Sequence, residues 1–351
     1  MIDFIEKNGD QAREAINTDM RFRAFLAARK RMDGYRGSMS FVQRGAADYL
    51  TKDFYDPVNG VRRQTSLGKR SPETERILTD FLSGREDARL RLADATAVLD
   101  RQAGINRSLG LGRVPETGAK IIRALDGANL LGRGIKVVGT NALFAYEAEA
   151  GVFFPGEVTT TEDIDVLLDA RANIRFLADD PALERSLLGL LRKADRSFRK
   201  TGRSFQAENR DGYLVDLIRP MRDPPWAGES GMIGHDLSDL EATEIEGLIW
   251  HESAPAFESV AIDSRGYPVR IIAPDPRAFA VHKHWLSTRP DRRADKRQRD
   301  LAQARLVARM VVEYMPHRPF DPAELRSFPK AVVDAATPLF GAREGRGGFS
   351  L

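Results

Sequence analysis

Along the first third of the chain, apolar positions recur at helical spacing between polar stretches rich in arginine. Residues 11–32 read as a helix ending near Asp33-Gly34. Residues 40–65 are mixed, and FYDPVNGV reads as a turn through Asp56-Pro57 and Asn59-Gly60. SLGKRSPETERILTDFL then opens a clear helix. Ser71 suits its N-cap, Pro72 its first position, and Glu73 and Glu75 the positive end of its dipole. Further helices are expected over 84–103 and 116–130.

After Gly132 the pattern shifts towards strands. IKVVGT (135–140) is a short β-branched run ending at glycine, and NALFAYEAEAG (141–151) is helical to its closing glycine. TTEDIDVLLD (160–169) has the composition of a strand, and 181–198 is an amphipathic helix. SFQAENRDGYLVDLIRP (204–220) reads as a hairpin turning at Asp211-Gly212. Strands are expected at 256–263 and 268–273. DPRAFAVHKHWLST and ADKRQRDLAQARLVARMVVEYM read as helices divided by an Arg-Pro-Asp turn. The last thirty residues, rich in Pro and Gly, read as loosely ordered. The expected division is a mostly helical, basic segment over 1–130, a core over 131–275, and C-terminal helices and tail over 276–351. The expected fold class is α+β.

Candidate chemistry gathers in the core. Asp163 and Asp165 are two apart in a strand, so they share a face, while Ile164, Val166 and Leu167 beside them demand burial. Two carboxylates side by side on a core strand repel and need a partner, which a hard divalent cation supplies. Asp216, in YLVDLI, sits among apolar neighbours that again mark a central strand. Three carboxylates from adjacent strands can hold two metal ions for in-line phosphoryl displacement. Gly139-Thr140 ends a strand and begins a helix, whose free amides suit a triphosphate, and glycine permits close approach to the backbone. The Thr140 hydroxyl or the Asn141 amide could add a donor. Each element alone also has a structural reading: a surface Asp pair, a helix cap, a plain turn. Their order along the chain favours catalysis.

That order resembles the DNA polymerase β-like nucleotidyltransferase superfamily, whose pattern is Gly-Ser or Gly-Gly, then Asp-x-Asp, then a third acid on another strand. GTNALFAYEAEAGV and TTEDIDVLLDAR resemble a bacterial branch, nucleotidyltransferase-fold family eight, as do SLGKRSPETERI and LGRVPETGAKIIRALD. The likeness runs from about Thr51 to about Leu306. It implies the nucleotidyltransferase fold, a mixed sheet flanked by helices, with metal on Asp163, Asp165 and Asp216 and triphosphate contact at Gly139 and Thr140. The metal expected is Mg²⁺ (or Mn²⁺). Two departures stand out: Thr140 replaces the commoner Ser, and 22 residues separate Thr140 from Asp163, a longer gap than most members have. The insertion VFFPGEVTT is expected to form a loop over the site. AVHKHWLSTRPDRRADKRQRDLAQARL is similar to a segment of nucleotidyltransferase toxins from abortive-infection systems, which would add Lys283 on the triphosphate and Asp300. A solvated basic helix fits the run Arg289–Arg299 as well.

Composition sets the outer limits. Of 351 residues, 42% are hydrophobic and 30% charged, which describes a chain able to bury a core. The absence of cysteine excludes disulfides and cysteine-ligated metals, and fits a cytoplasmic location. No apolar run approaches the roughly 20 residues of a membrane span. No P-loop pattern or Ser/His/Asp set is present, and His282 and His284, two apart on a helix, make a poor metal pair. Residues 1–125 hold 23 Lys+Arg against 17 Asp+Glu, a balance of +6, whereas the remainder holds 31 against 34. On charge alone a solvated helical surface fits this asymmetry better than a polyanion-binding lobe, and it tilts the acceptor only slightly towards RNA. The first expectation is therefore a metal-dependent enzyme moving a nucleoside monophosphate from a nucleoside triphosphate to an RNA 3′ end, a protein or a small molecule. The alternatives are a catalytically weak nucleotide- or nucleic-acid-binding protein and the toxin of a toxin–antitoxin pair.

Overall fold

The computed structural model describes residues 4–56, 61–169, 186–222, 231–233 and 238–341. Strand β1 (Ile5–Glu6) leads into α1 (Gly9–Asp33), which Asn8 caps in a reciprocal box with Gln11. Strands β2 (Ser38–Arg44), β3 (Ala47–Asp56) and β4 (Val61–Lys69) form an antiparallel sheet of their own. The mixed stretch at 40–65 thus resolves into a meander; the turn expected at Pro57-Val58-Asn59-Gly60 lies outside the described residues.

Helix α2 (Pro72–Ser108) starts where its caps predict, with the Ser71 side chain accepting from the Thr74 amide. It then runs unbroken for 37 residues, where the sequence pattern divides into two helices. Gly84 lies within it, and Tyr35 packs where a side chain would project: a Cβ there would lie 2.3 Å from the Tyr35 hydroxyl.

The central sheet begins after α3 (Glu116–Gly127). Strand β5 (Ile135–Val138) passes through a 3₁₀ turn (Gly139–Ala142) into α4 (Leu143–Ala150), closed by left-handed Gly151. Next come β6 (Val152–Phe153), a short helical turn α5 (Gly156–Thr159) and β7 (Asp163–Leu168). Of the helix expected over 181–198, residues 186–198 are described, and the helix there is Leu187–Ala194 (α6), capped by Ser186 and ending at Asp195. Strands β8 (Arg199–Lys200), β9 (Gln206–Glu208), β10 (Leu214–Pro220) and β11 (Thr243–Ile245) complete the sheet. Its order is β5-β7-β10-β9-β8, with β11 beside β10. The β7–β10 and β10–β11 pairs are parallel and the others antiparallel, so the sheet is mixed. Gly212, at a φ of 81°, turns the β9–β10 hairpin where Asp211-Gly212 predicts it.

Helix α7 (Leu248–Ser253) precedes the hairpin β12 (Ala256–Ile262) and β13 (Pro268–Pro274). Helices α8 (Pro276–Thr288) and α9 (Ala294–Tyr314) follow as expected. The main core runs from α3 to α9: Ile121, Ile135, Tyr146, Val166, Leu217, Phe257, Phe279 and Met310 all pack within it. Two expectations need correction. The insertion after α4 is no free loop, since Phe154 and Val158 are buried in the core and β6 pairs with β1. The segment after α9 is not loose either. It forms α10 (Lys330–Ala336), and Leu325, Phe328 and Val333 pack on Trp250 and Val281. Residues 342–351 of that tail lie outside the described residues. Among the described residues no helix is long and apolar enough to cross a membrane.

Candidate active site

The sheet brings the predicted acids onto one face. Asp165 on β7 stands in parallel register with Asp216 on β10, and on its other side it pairs with Val138, the residue before Gly139. Aligned residues of neighbouring strands point the same way, and Asp163 is two residues back on β7. All three carboxylates therefore line one cleft of about 320 Å³. Asp163 accepts from the Thr161 hydroxyl, and Asp216 accepts from the Gln206 amide at 2.8 Å.

The electrostatic cost is concentrated in the middle acid. Burial, then the charges of Asp163 and Asp216, push the Asp165 carboxyl up to about 6, against the pull of Lys283 and Lys296. Asp216 is also raised, first by burial, with the Gln206 hydrogen bond opposing. Gly139 makes room for this arrangement. Its φ is +63°, and a Cβ added there would lie 2.2 Å from an Asp165 carboxylate oxygen. The glycine thus accommodates the carboxylate, where the sequence suggested space for a phosphate.

Thr140 lines the cleft beside Gly139. Asn141 does not. It is buried, and its amide donates to the Asp163 carbonyl at 2.7 Å, so it braces β7 from within. Of the two side-chain donors expected at this turn, Thr140 lines the cleft and Asn141 does not.

Helices α8 and α9 build the opposite wall. Lys283 reaches the cleft with its ammonium 2.7 Å from Asp300, a carboxylate that also binds Arg292. The basic run that fitted a solvated helix equally well divides by phase. On α9, Lys296, Arg299 and Gln303 face the cleft, spaced three and four residues apart; Arg292 joins them from the turn before the helix, while Arg293 lies outside the cleft. Sequence reasoning named Lys283 and Asp300 but missed the other four, although that spacing was readable. The apolar end of the cleft is made by Ile218, Ile245, Leu248 and Leu286.

A pair of histidines also borders the cleft. His282 contacts His251 ring to ring at 2.7 Å, a partner 31 residues away that spacing along one helix cannot reveal. Burial lowers both, His282 to about 3, with Lys283 adding to the effect, so both stay neutral at pH 7.

Asp163, Asp165 and Asp216 offer hard oxygen donors, and a divalent cation among them would relieve the charge that raises Asp165. Those residues therefore fit such an ion by donor type. Among the described residues no group of three His, Cys, Asp or Glu side chains already stands at metal-cage spacing. The acids stand apart, with Thr161 and Gln206 fixing the outer two. A second cleft of about 310 Å³ lies between α1 and β12, but its charges are intermixed: Arg113 pairs with Glu147 at 2.9 Å. The cleft on β7 and β10 differs in setting three acids on one wall against four cations, Lys283, Arg292, Lys296 and Arg299, gathered around Asp300 on the other.

No curated protein and no solved structure matches this chain. A family model described as Nucleotidyltransferase matches residues 116–328, a span that contains the turn at Gly139, all three acids and the cationic face of α9. The chain belongs to that nucleotidyltransferase family.

Proposed function

We propose that this protein transfers a nucleoside monophosphate from a nucleoside triphosphate to an acceptor hydroxyl, releasing pyrophosphate, with Mg²⁺ or Mn²⁺ on Asp163, Asp165 and Asp216. The observation that carries the reading is the division of one cleft into an acidic wall on β7 and β10 and a cationic wall on α8 and α9. A bound divalent cation would neutralise charge at the α-phosphate and lower the pKa of the acceptor hydroxyl. The remaining work falls to the chain itself. Lys283, Arg292, Lys296 and Arg299 attract the β- and γ-phosphates and stabilise the departing pyrophosphate. Asp300 holds Lys283 and Arg292 together, so their charges are placed before substrate arrives. Asp216 has one oxygen engaged by Gln206, and its other is available for the acceptor's proton. The acceptor oxygen bonds to the α-phosphorus as the bond to the oxygen bridging the β-phosphorus breaks. That bonding pair leaves with pyrophosphate.

The excess of cations over residues 1–125 favours an RNA 3′ end as the acceptor. The test is incubation with each α-labelled nucleoside triphosphate, Mg²⁺ or Mn²⁺, and total cellular RNA and protein. Label on RNA ends supports the full reading, and label on protein or a small molecule supports transfer but replaces the acceptor. No labelled product with any nucleotide and either metal overturns the transferase reading.

A further inference from the structure

The Thr140 hydroxyl is surrounded in an unusual way for a phosphate-binding group. Its oxygen accepts from the Arg299 guanidinium at 3.2 Å and from the Gln303 amide at 3.4 Å. Arginine carries no acceptor, so its part in the contact is fixed. A glutamine amide could in principle face either way. Here the same Gln303 nitrogen donates to the Val158 carbonyl at 2.9 Å, and a carbonyl can only be met by a donor. The amide orientation is therefore set by α5, and its second N–H points at Thr140. Gln303 is fully buried, and its side-chain oxygen has no hydrogen-bond partner among the described residues. A buried amide left half-satisfied costs stability, which asks for a reason.

We infer that Gln303, with Arg299, is a positioning residue that commits the Thr140 hydroxyl to donate its proton into the cleft, towards an anionic phosphoryl oxygen. A hydroxyl has two lone pairs and one proton. With both lone pairs met by donors that cannot accept, the proton is left for a ligand. The hydroxyl is then a preset donor and needs no reorientation when the anion arrives. Arg299 is also fixed by the Thr160 carbonyl, so the C-terminal end of the insertion's α5 is tied to α9 at two points. The insertion thereby serves the site from behind, by holding the residues that hold Thr140. This inference rests on the triphosphate reading above.

The experiment measures binding of non-hydrolysable α,β-methylene triphosphates, in the four base forms and with Mg²⁺, beside nucleoside monophosphates and thermal melts. The variants are Gln303→Met, Gln303→Glu, Thr140→Val and the double Thr140→Val/Gln303→Met. Gln303→Met keeps shape but removes the donor, and is expected to weaken triphosphate binding roughly fivefold to tenfold. Monophosphate binding should change little. Gln303→Glu, which offers Thr140 an acceptor, should weaken it more. In the Thr140→Val background, Gln303→Met should add less than about twofold, because the group it acts through is gone. Equal loss for mono- and triphosphate, or a full effect of Gln303→Met without the Thr140 hydroxyl, overturns the positioning role and leaves the triphosphate reading standing. A wild-type protein that binds none of the four triphosphates removes that reading, and this inference with it.

Discussion

Ionising Asp165 places a third negative charge on a sheet face that already carries Asp163 and Asp216, and burial raises the cost. Its carboxyl titrates at about 6 in the folded chain against 3.8 as the ordinary value. The folded form thus holds the proton more tightly, and stability falls as pH rises from about 4 through 6. Asp165→Asn removes that penalty. Without divalent metal, the variant should match or exceed wild type by on the order of 1–2 kcal/mol at pH 7, with the gain vanishing below pH 4. Melts across that range check it, and a variant clearly less stable at pH 7 would make Asp165 a structural residue. Gly139 packs against the same carboxylate. Gly139→Ala forces a left-handed backbone on a Cβ that collides with Asp165. It should cost at least about 1–2 kcal/mol, and nucleotide transfer should fall further than the loss of folded protein explains. An unchanged melt and unchanged transfer would contradict the packing described. The sequence made Gly139 legible as special, but only the register of β5 against β7 shows that it faces a carboxylate.

Elements that depend on local chemistry were legible in the sequence. Ser71 and Pro72 mark the start of α2, and Asp211-Gly212 marks the hairpin, because caps and turns are decided within a few residues. Elements decided by distant packing were not. The single helix Pro72–Ser108 read as two, and VFFPGEVTT read as a loop although Phe154 and Val158 supply core. A covering loop and a core element differ in stability. Phe154→Ala should cost about 3–5 kcal/mol in a melt, whereas a solvent-exposed loop residue would cost under about 0.5 kcal/mol. The cationic face of α9 lay between these cases. Its spacing was readable, but choosing between solvent and cleft required knowing that α9 lies across from β7.

On the scale of the whole molecule, the acids and the cations meet only because the sheet and the last long helices share one core. The three acids and Gly139-Thr140 were found from strand patterning, since buried carboxylates are conspicuous among Ile, Val and Leu. Gln303 falls on the same readable spacing, but its contact with Thr140, 163 residues away, cannot be read from spacing. Charge distribution adds a separate expectation. If the basic first 125 residues carry RNA, affinity should fall by about tenfold or more between 50 and 200 mM salt, through counterion release. Binding by titration at several salt concentrations checks this, and a flat response would return that surface to a structural role. The central claim is that Asp163, Asp165 and Asp216 act with the facing cations to transfer a nucleotide. Its most direct test is pyrophosphate release from a nucleoside triphosphate with Mn²⁺, by wild type and Asp165→Asn, beside their metal-free melts. If the three acids act as metal ligands, release should fall on the order of 10²-fold or more with no loss of melting temperature. Wild-type release per folded molecule from Asp165→Asn would contradict it.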